Sequence, residues 1–129
     1  MSTVNSYRDL MVWQASIDLV EQVYSLTGYF PKQEMYGLSS QIQRAAVSIP
    51  SNIAEGHARD STKEFLHHLS IALGSLAELE TQLILAERLY YLDQQILESV
   101  FENTDKIGRM IRGLQRSLKA KLQPLSLEK

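Results

Sequence analysis

Apolar residues recur along this chain with the spacing of helices and nowhere with the alternation of strands. The most regular stretch is Phe65, Leu69, Ala72, Leu76, Leu79, Leu83 and Ala86, which alternates steps of four and three without a break. That is a coiled-coil-like seam, and it predicts a helix over about 61–89. Ser61-Thr-Lys-Glu64 opens it as a capping box, in which the Ser61 hydroxyl accepts from the Glu64 N–H and the Glu64 carboxylate reaches back. The same alternation in Leu97, Val100, Thr104, Ile107, Ile111, Leu114 and Leu118 predicts a helix over about 94–121, with Asp93 as its cap and Pro124 ending it.

Two further helices precede these. Over about 9–27 the apolar positions form two adjacent rows, Trp13, Ile17, Val20, Tyr24 and Val12, Leu19, Val23, Leu26. Ser6 or Asp9 is the expected N-cap and Gly28 the stop. Over about 37–57, Leu38, Ile42, Ala45, Ile49 and Ile53 make one apolar face, yet Pro50 sits inside it. An interior proline removes a donor and crowds the carbonyl one turn back, at a cost of about 3 kcal/mol. The expectation is a helix that continues but is kinked at Pro50, its freed Ala46 carbonyl taken up by water or a side chain. Four amphipathic helices with short links pack most simply as neighbours running in opposite directions. The predicted fold is all-α, an up-down antiparallel four-helix bundle forming one domain over 1–129.

Composition narrows the chemistry. The 129 residues suffice for a single core without staples, and no cysteine is present for a disulfide, a thiolate metal site or a cysteine nucleophile. Met1-Ser-Thr-Val-Asn-Ser6 lacks the charged-then-apolar pattern of a signal peptide, and no run of about 18 uncharged apolar residues occurs. The expectation is a cytoplasmic protein with no membrane contact. A net charge of −2 gives no overall pull toward nucleic acid, so such binding needs a local basic patch.

One such patch exists. Lys106, Arg109, Arg112, Arg116, Lys119 and Lys121 follow one another with no acid among them, after Asp93, Glu98, Glu102 and Asp105. All but Lys121 lie opposite the seam of the fourth helix, on its outer face. Acids early and bases late complement the helix dipole, which is the simpler explanation. A phosphate-binding stripe is the functional one, and Lys106, Arg109, Arg112, Arg116 and Lys119 are its candidate residues for RNA or DNA. No aromatic residue is interleaved for base stacking.

Other constellations carry less. Glu64-Phe-Leu-His67 is a Glu-x-x-His, which di-iron bundles use twice, but here it occurs once. His67, His68 and His57 have no third ligand spaced to join them in a zinc site. Glu78 and Glu80 flank Leu79 and so diverge around the helix. Ser48, Ser51 and Asn52 near Pro50 suit a structural role at the kink better than a polar pocket. No glycine-framed nucleophile supports serine chemistry. Arg44 is expected to pair with Glu55, Glu78 or Glu80, within or between subunits. No enzyme activity, metal or cofactor is expected.

Several segments, in order, resemble a bacterial family of four-helix bundles encoded in intervening sequences of 23S rRNA genes. They are Tyr7-Arg-Asp-Leu-Met-Val-Trp-Gln14, Phe30-Pro31 with Tyr36-Gly-Leu38, Gln41 to Gly56, Ser61-Thr-Lys-Glu-Phe65, and Leu69 through Leu83. The resemblance covers most of the chain and weakens after Leu92. It implies a subunit that assembles as a ring-like homopentamer. Related accessory variability determinant proteins accompany the reverse transcriptases of diversity-generating retroelements, where they bind the enzyme and nucleic acid, and those relatives tend to be basic. A reverse transcriptase or other nucleic-acid enzyme is therefore an implied partner. No catalytic residue is carried over.

Assembly is also legible without the resemblance, though not the number of subunits. Leu66 and Leu73 widen one flank of the third helix, and Ile71, Ile84 and Leu85 lie round the other side. The first helix carries two apolar rows. A helix apolar over more than half its circumference is usually covered twice, so Trp13, Tyr24, Leu66, Ile71, Leu73, Ile84 and Leu85 are candidate interface residues. The functional expectation is a non-enzymatic oligomeric scaffold or adaptor that engages RNA, DNA or a nucleic-acid enzyme. A purely structural protein–protein interaction module is the alternative.

Overall fold

Each periodic stretch forms a helix in the computed structural model, which describes residues 6–122. The helices are α1 (Met11–Thr27), α2 (Leu38–Ala58), α3 (Thr62–Arg88) and α4 (Gln94–Leu122), with 3-10 turns at Tyr7–Asp9 and Lys32–Glu34. No strand occurs among the described residues. Pro124, expected to end the fourth helix, lies outside the described residues.

Local chemistry sets the ends. Asp93 caps α4, its Oδ1 accepting from the Ile96 N–H at 2.8 Å. Ser61 caps α3 by accepting from the Glu64 N–H at 3.3 Å. The reciprocal half of the expected capping box gives way to a salt bridge, because Glu64 Oε1 turns to Arg59 at 3.5 Å. The first helix starts later than expected. Ser6 accepts from the Arg8 N–H and so caps the 3-10 turn, and an extended Leu10 separates that turn from α1.

The helices pack as a ring in which α1 touches α2 and α4, and α3 touches the same two. The diagonal pairs face each other across the core. The residues brought together at each end show the directions of the helices. At one end Phe30, after α1, stacks on Tyr91, before α4, with ring centroids 5.4 Å apart. At the other, Leu10, Phe65 and Leu118 border one cavity of about 520 Å³. The four helices therefore run up and down.

The seams meet in the centre. Leu19 and Val23, Ile42, Ile49 and Ile53, Leu69, Leu79 and Leu83, and Val100, Ile107 and Ile111 are all buried. The closest pair is α2 with α3. Gly56 makes that approach possible, since a Cβ there would fall 2.7 Å from His68 Cβ and 3.0 Å from Phe65 Cδ1. α2 is one unbroken helix with Pro50 buried inside it.

The polar side chains beside Pro50 do not serve the Ala46 carbonyl. Asn52 Nδ2 donates to the carbonyl and hydroxyl of Ser48 at 2.9 and 3.0 Å, and Ser48 Oγ meets Ser75 Oγ of α3 at 2.7 Å. His68 Nδ1 lies 3.1 Å from Asn52 Oδ1. A partly buried polar ladder thus joins α2 to α3, where each rung fixes the register of the two helices.

By length and composition α3 could cross a membrane, which the bare sequence did not suggest. Its apolar seam is buried against α2 and α4 in this bundle.

Candidate nucleic-acid interface

The candidate stripe occupies the second half of α4. Residues 106, 109, 112, 116 and 119 are three or four apart, so one face presents them all over about 20 Å of helix. Lys106, Arg109, Arg112, Arg116 and Lys119 are exposed. None has a carboxylate within 4.0 Å among the described residues, where the ion pairs are those of Arg59 with Glu55 and Glu64.

The two ends of the stripe differ in surroundings. Arg109 and Arg112 border a notch of about 260 Å³ between α3 and α4, lined also by Glu80, Asp105 and Thr104. Glu80 is committed there, because its Oε2 accepts from the Thr104 hydroxyl at 2.7 Å. Gly108 lets Arg112 fold inward, its Nη1 lying 3.1 Å from where a Cβ on that glycine would be. Arg116 and Lys119 lie outside that notch. Gln115 donates to Ser70 of α3 at 3.3 Å and holds the stripe's orientation on the bundle. Lys121 lies apart, lining the end cavity with His57 and Asp60.

The acidic pair diverges. Glu80 turns to α4, and Glu78 turns to Gln82, 3.3 Å away, on the side facing α2. Within the chain, Arg44 forms no ion pair with Glu55, Glu78 or Glu80. Glu55 is held instead by Arg59, one turn further along α2 at 2.9 Å. That guanidinium lowers the Glu55 pKa, and the carboxylate raises that of Arg59. His67 is exposed with its ring edge-on to His68, and among the described residues no three metal-ligating side chains cluster.

The candidate interface residues divide. Trp13, Leu66 and Leu73 are half-buried against the core, and Trp13 also meets Tyr7 edge-on at 5.2 Å. Tyr24, Ile71, Ile84 and Leu85 stay exposed. Much of the apolar width of α1 and α3 is thus used within the chain, and four of the seven candidates remain outside.

Sequence reasoning missed the tyrosines at the end where α1 meets α2 and α3 meets α4. Tyr29, Tyr36 and Tyr90 are 84%, 92% and 94% exposed. Their placement in short connections was the available signal, since loop aromatics belong to no periodic face.

Comparison with known proteins adds a family and a fold. The family model described as 23S rRNA-intervening sequence protein matches residues 8–113. A crystal structure of a protein with unknown function from the S23 ribosomal protein family, from Bacteroides thetaiotaomicron, superposes with a TM-score of 0.73. The two are 26% identical, over 81% of this chain and 98% of that one. Comparison with curated proteins found no match.

Proposed function

Because this chain belongs to the 23S rRNA-intervening sequence protein family, we propose that it works as a non-enzymatic, cytoplasmic, homo-oligomeric scaffold that holds RNA or DNA on the outer face of α4. The observation that carries this reading is the row of five exposed cations without a carboxylate partner within 4.0 Å among the described residues. A helix dipole asks for positive charge in the last turn only. Lys106, Arg109 and Arg112 lie two or more turns before it, so the dipole alone does not account for the row.

Oligomerisation supports the same function. Tyr24, Ile71, Ile84 and Leu85 offer exposed apolar area on α1 and α3. A ring, pentameric by the family resemblance, repeats a weak cationic face several times and converts modest contacts into avidity. A reverse transcriptase or another nucleic-acid enzyme is the protein partner such a scaffold would present with its template.

The test is charge reversal. Arg109→Glu, Arg112→Glu and Arg116→Glu together should abolish binding of structured RNA and duplex DNA in a filter assay, with the helical circular-dichroism spectrum unchanged. Retained binding would reject the α4 face. An absence of binding by the parental chain would favour the protein-interaction module.

A further inference from the structure

Tyr90 is held where a glycine would ordinarily be. It follows Leu89, the C-cap of α3, with φ of 66°, in the left-handed region. The Tyr90 N–H donates to the Glu87 carbonyl and the Tyr91 N–H to the Ala86 carbonyl, the paired bonds of a Schellman ending. Glycine is favoured there because a Cβ crowds the neighbouring carbonyl. The chain instead carries a tyrosine that is 94% exposed. The strain is not repaid by packing within the chain, which points to a use outside it.

The surroundings show what that use is. Tyr29 and Tyr36 are displayed at the same end. The platform beneath them is fixed, because Glu34 accepts from the Tyr91 hydroxyl at 2.7 Å and from the Leu38 N–H at 3.0 Å. Beside it a mostly apolar cavity of about 320 Å³ opens between α1 and α4, with Leu26, Tyr29, Leu92 and Ile96 in its wall. That is room for a large side chain or two.

Charge selects the occupant. α1 carries Asp18 and Glu21 and no base, and the first turns of α4 carry Glu98 and Glu102 and no base, while Asp105 belongs to the α3–α4 notch. Asn103 donates to Gln22 of the cavity wall at 2.7 Å, so Glu102 and Glu21, their neighbours in the chain, stand near the cavity's edge. The cations of this end, Lys32 and Arg88, stand on other elements. An acidic rim repels nucleic acid and favours lysine and arginine.

We propose that this tyrosine-bearing end docks a basic polypeptide, which inserts an apolar anchor between α1 and α4 and sets its cations against the acidic rim. Tyrosines supply large, stiff contact area at low entropic cost, and a pocket beside them seats an anchor. The surface is independent of the α4 stripe, which lies toward the other end of the bundle.

Fluorescence anisotropy with labelled peptides tests it. The probe is an amphipathic peptide of leucine, lysine and arginine, and its control replaces every base by glutamate. The parental chain should bind the basic peptide and not the acidic one. Tyr90→Gly should weaken binding about tenfold, the loss of one tyrosine anchor. It should also raise the thermal midpoint, so that unfolding cannot explain the loss. The Arg109, Arg112 and Arg116 to Glu variant should bind the peptide no more weakly than its parent, whether or not it binds RNA. The proposal is overturned by no binding to the parental chain, by equal binding of the acidic control, by an unaltered affinity in both Tyr90→Gly and Tyr29→Ser, or by displacement of the peptide with oligouridylate.

Discussion

Glu34 carries two structural bonds on one carboxylate, and its titration reports both. The Leu38 N–H, and after it the Tyr91 hydroxyl, hold its pKa below the ordinary glutamate value. The same bond raises the Tyr91 phenol. A depressed carboxylate contributes stability above its unfolded pKa and loses it as pH falls through the folded value. A raised phenol contributes below its unfolded pKa and loses it as pH rises through the folded one. The clasp between the two connections should therefore hold across neutral pH and release in acid and in strong alkali. Tyr91→Phe should move the Glu34 carboxyl titration, followed by carbon NMR, upward but not fully back, because the Leu38 bond remains. An unchanged titration would mean the phenol does not reach the carboxylate in solution. None of this was legible in the sequence, for Glu34 and Tyr91 are joined only by the fold. Arg44 shows the converse, since a long side chain can be assigned several carboxylates on paper while Arg59, four residues after Glu55, has the shorter path.

The elements themselves were easier to read. A seam of fours and threes maps directly onto a buried face, and Leu69, Ala72, Leu76, Leu79, Leu83 and Ala86 are all buried. Leu83→Ala should cost about 2–5 kcal/mol in chemical denaturation, through lost contact and a cavity. A stability within error of the parent would refute the packing of α3 against its neighbours. Boundaries were less legible, because the chain inserts a 3-10 turn before α1 and Ser6 caps that turn instead of the helix. The polar ladder from His68 to Ser75 depends on the register of two helices, which no single-helix period contains. α2 continues through Pro50, and the bend expected of an interior proline is measurable by residual dipolar couplings. Amide vectors before Ala46 and after Ser51 should define two axes. A single axis would show the proline absorbed without a kink.

For the whole molecule the claims concern assembly and charge. Exposed Tyr24, Ile71, Ile84 and Leu85 predict an oligomer. Light scattering after size exclusion should give several times the 14.7 kDa subunit mass, a ring of five by family resemblance. A mass of one subunit at micromolar concentration would reject the oligomer, and a dimer would reject the ring. The basic stripe of α4 was legible in the sequence as a run of bases, since outward position follows from the seam, but the absence of a carboxylate within 4.0 Å among the described residues was not. The central claim is that those cations meet phosphates, and the salt dependence of RNA binding tests it most directly. With three to five cations of a stripe engaged on a duplex, log K should fall against log salt with a slope of about −2.7 to −4.5. A slope near zero would contradict the account.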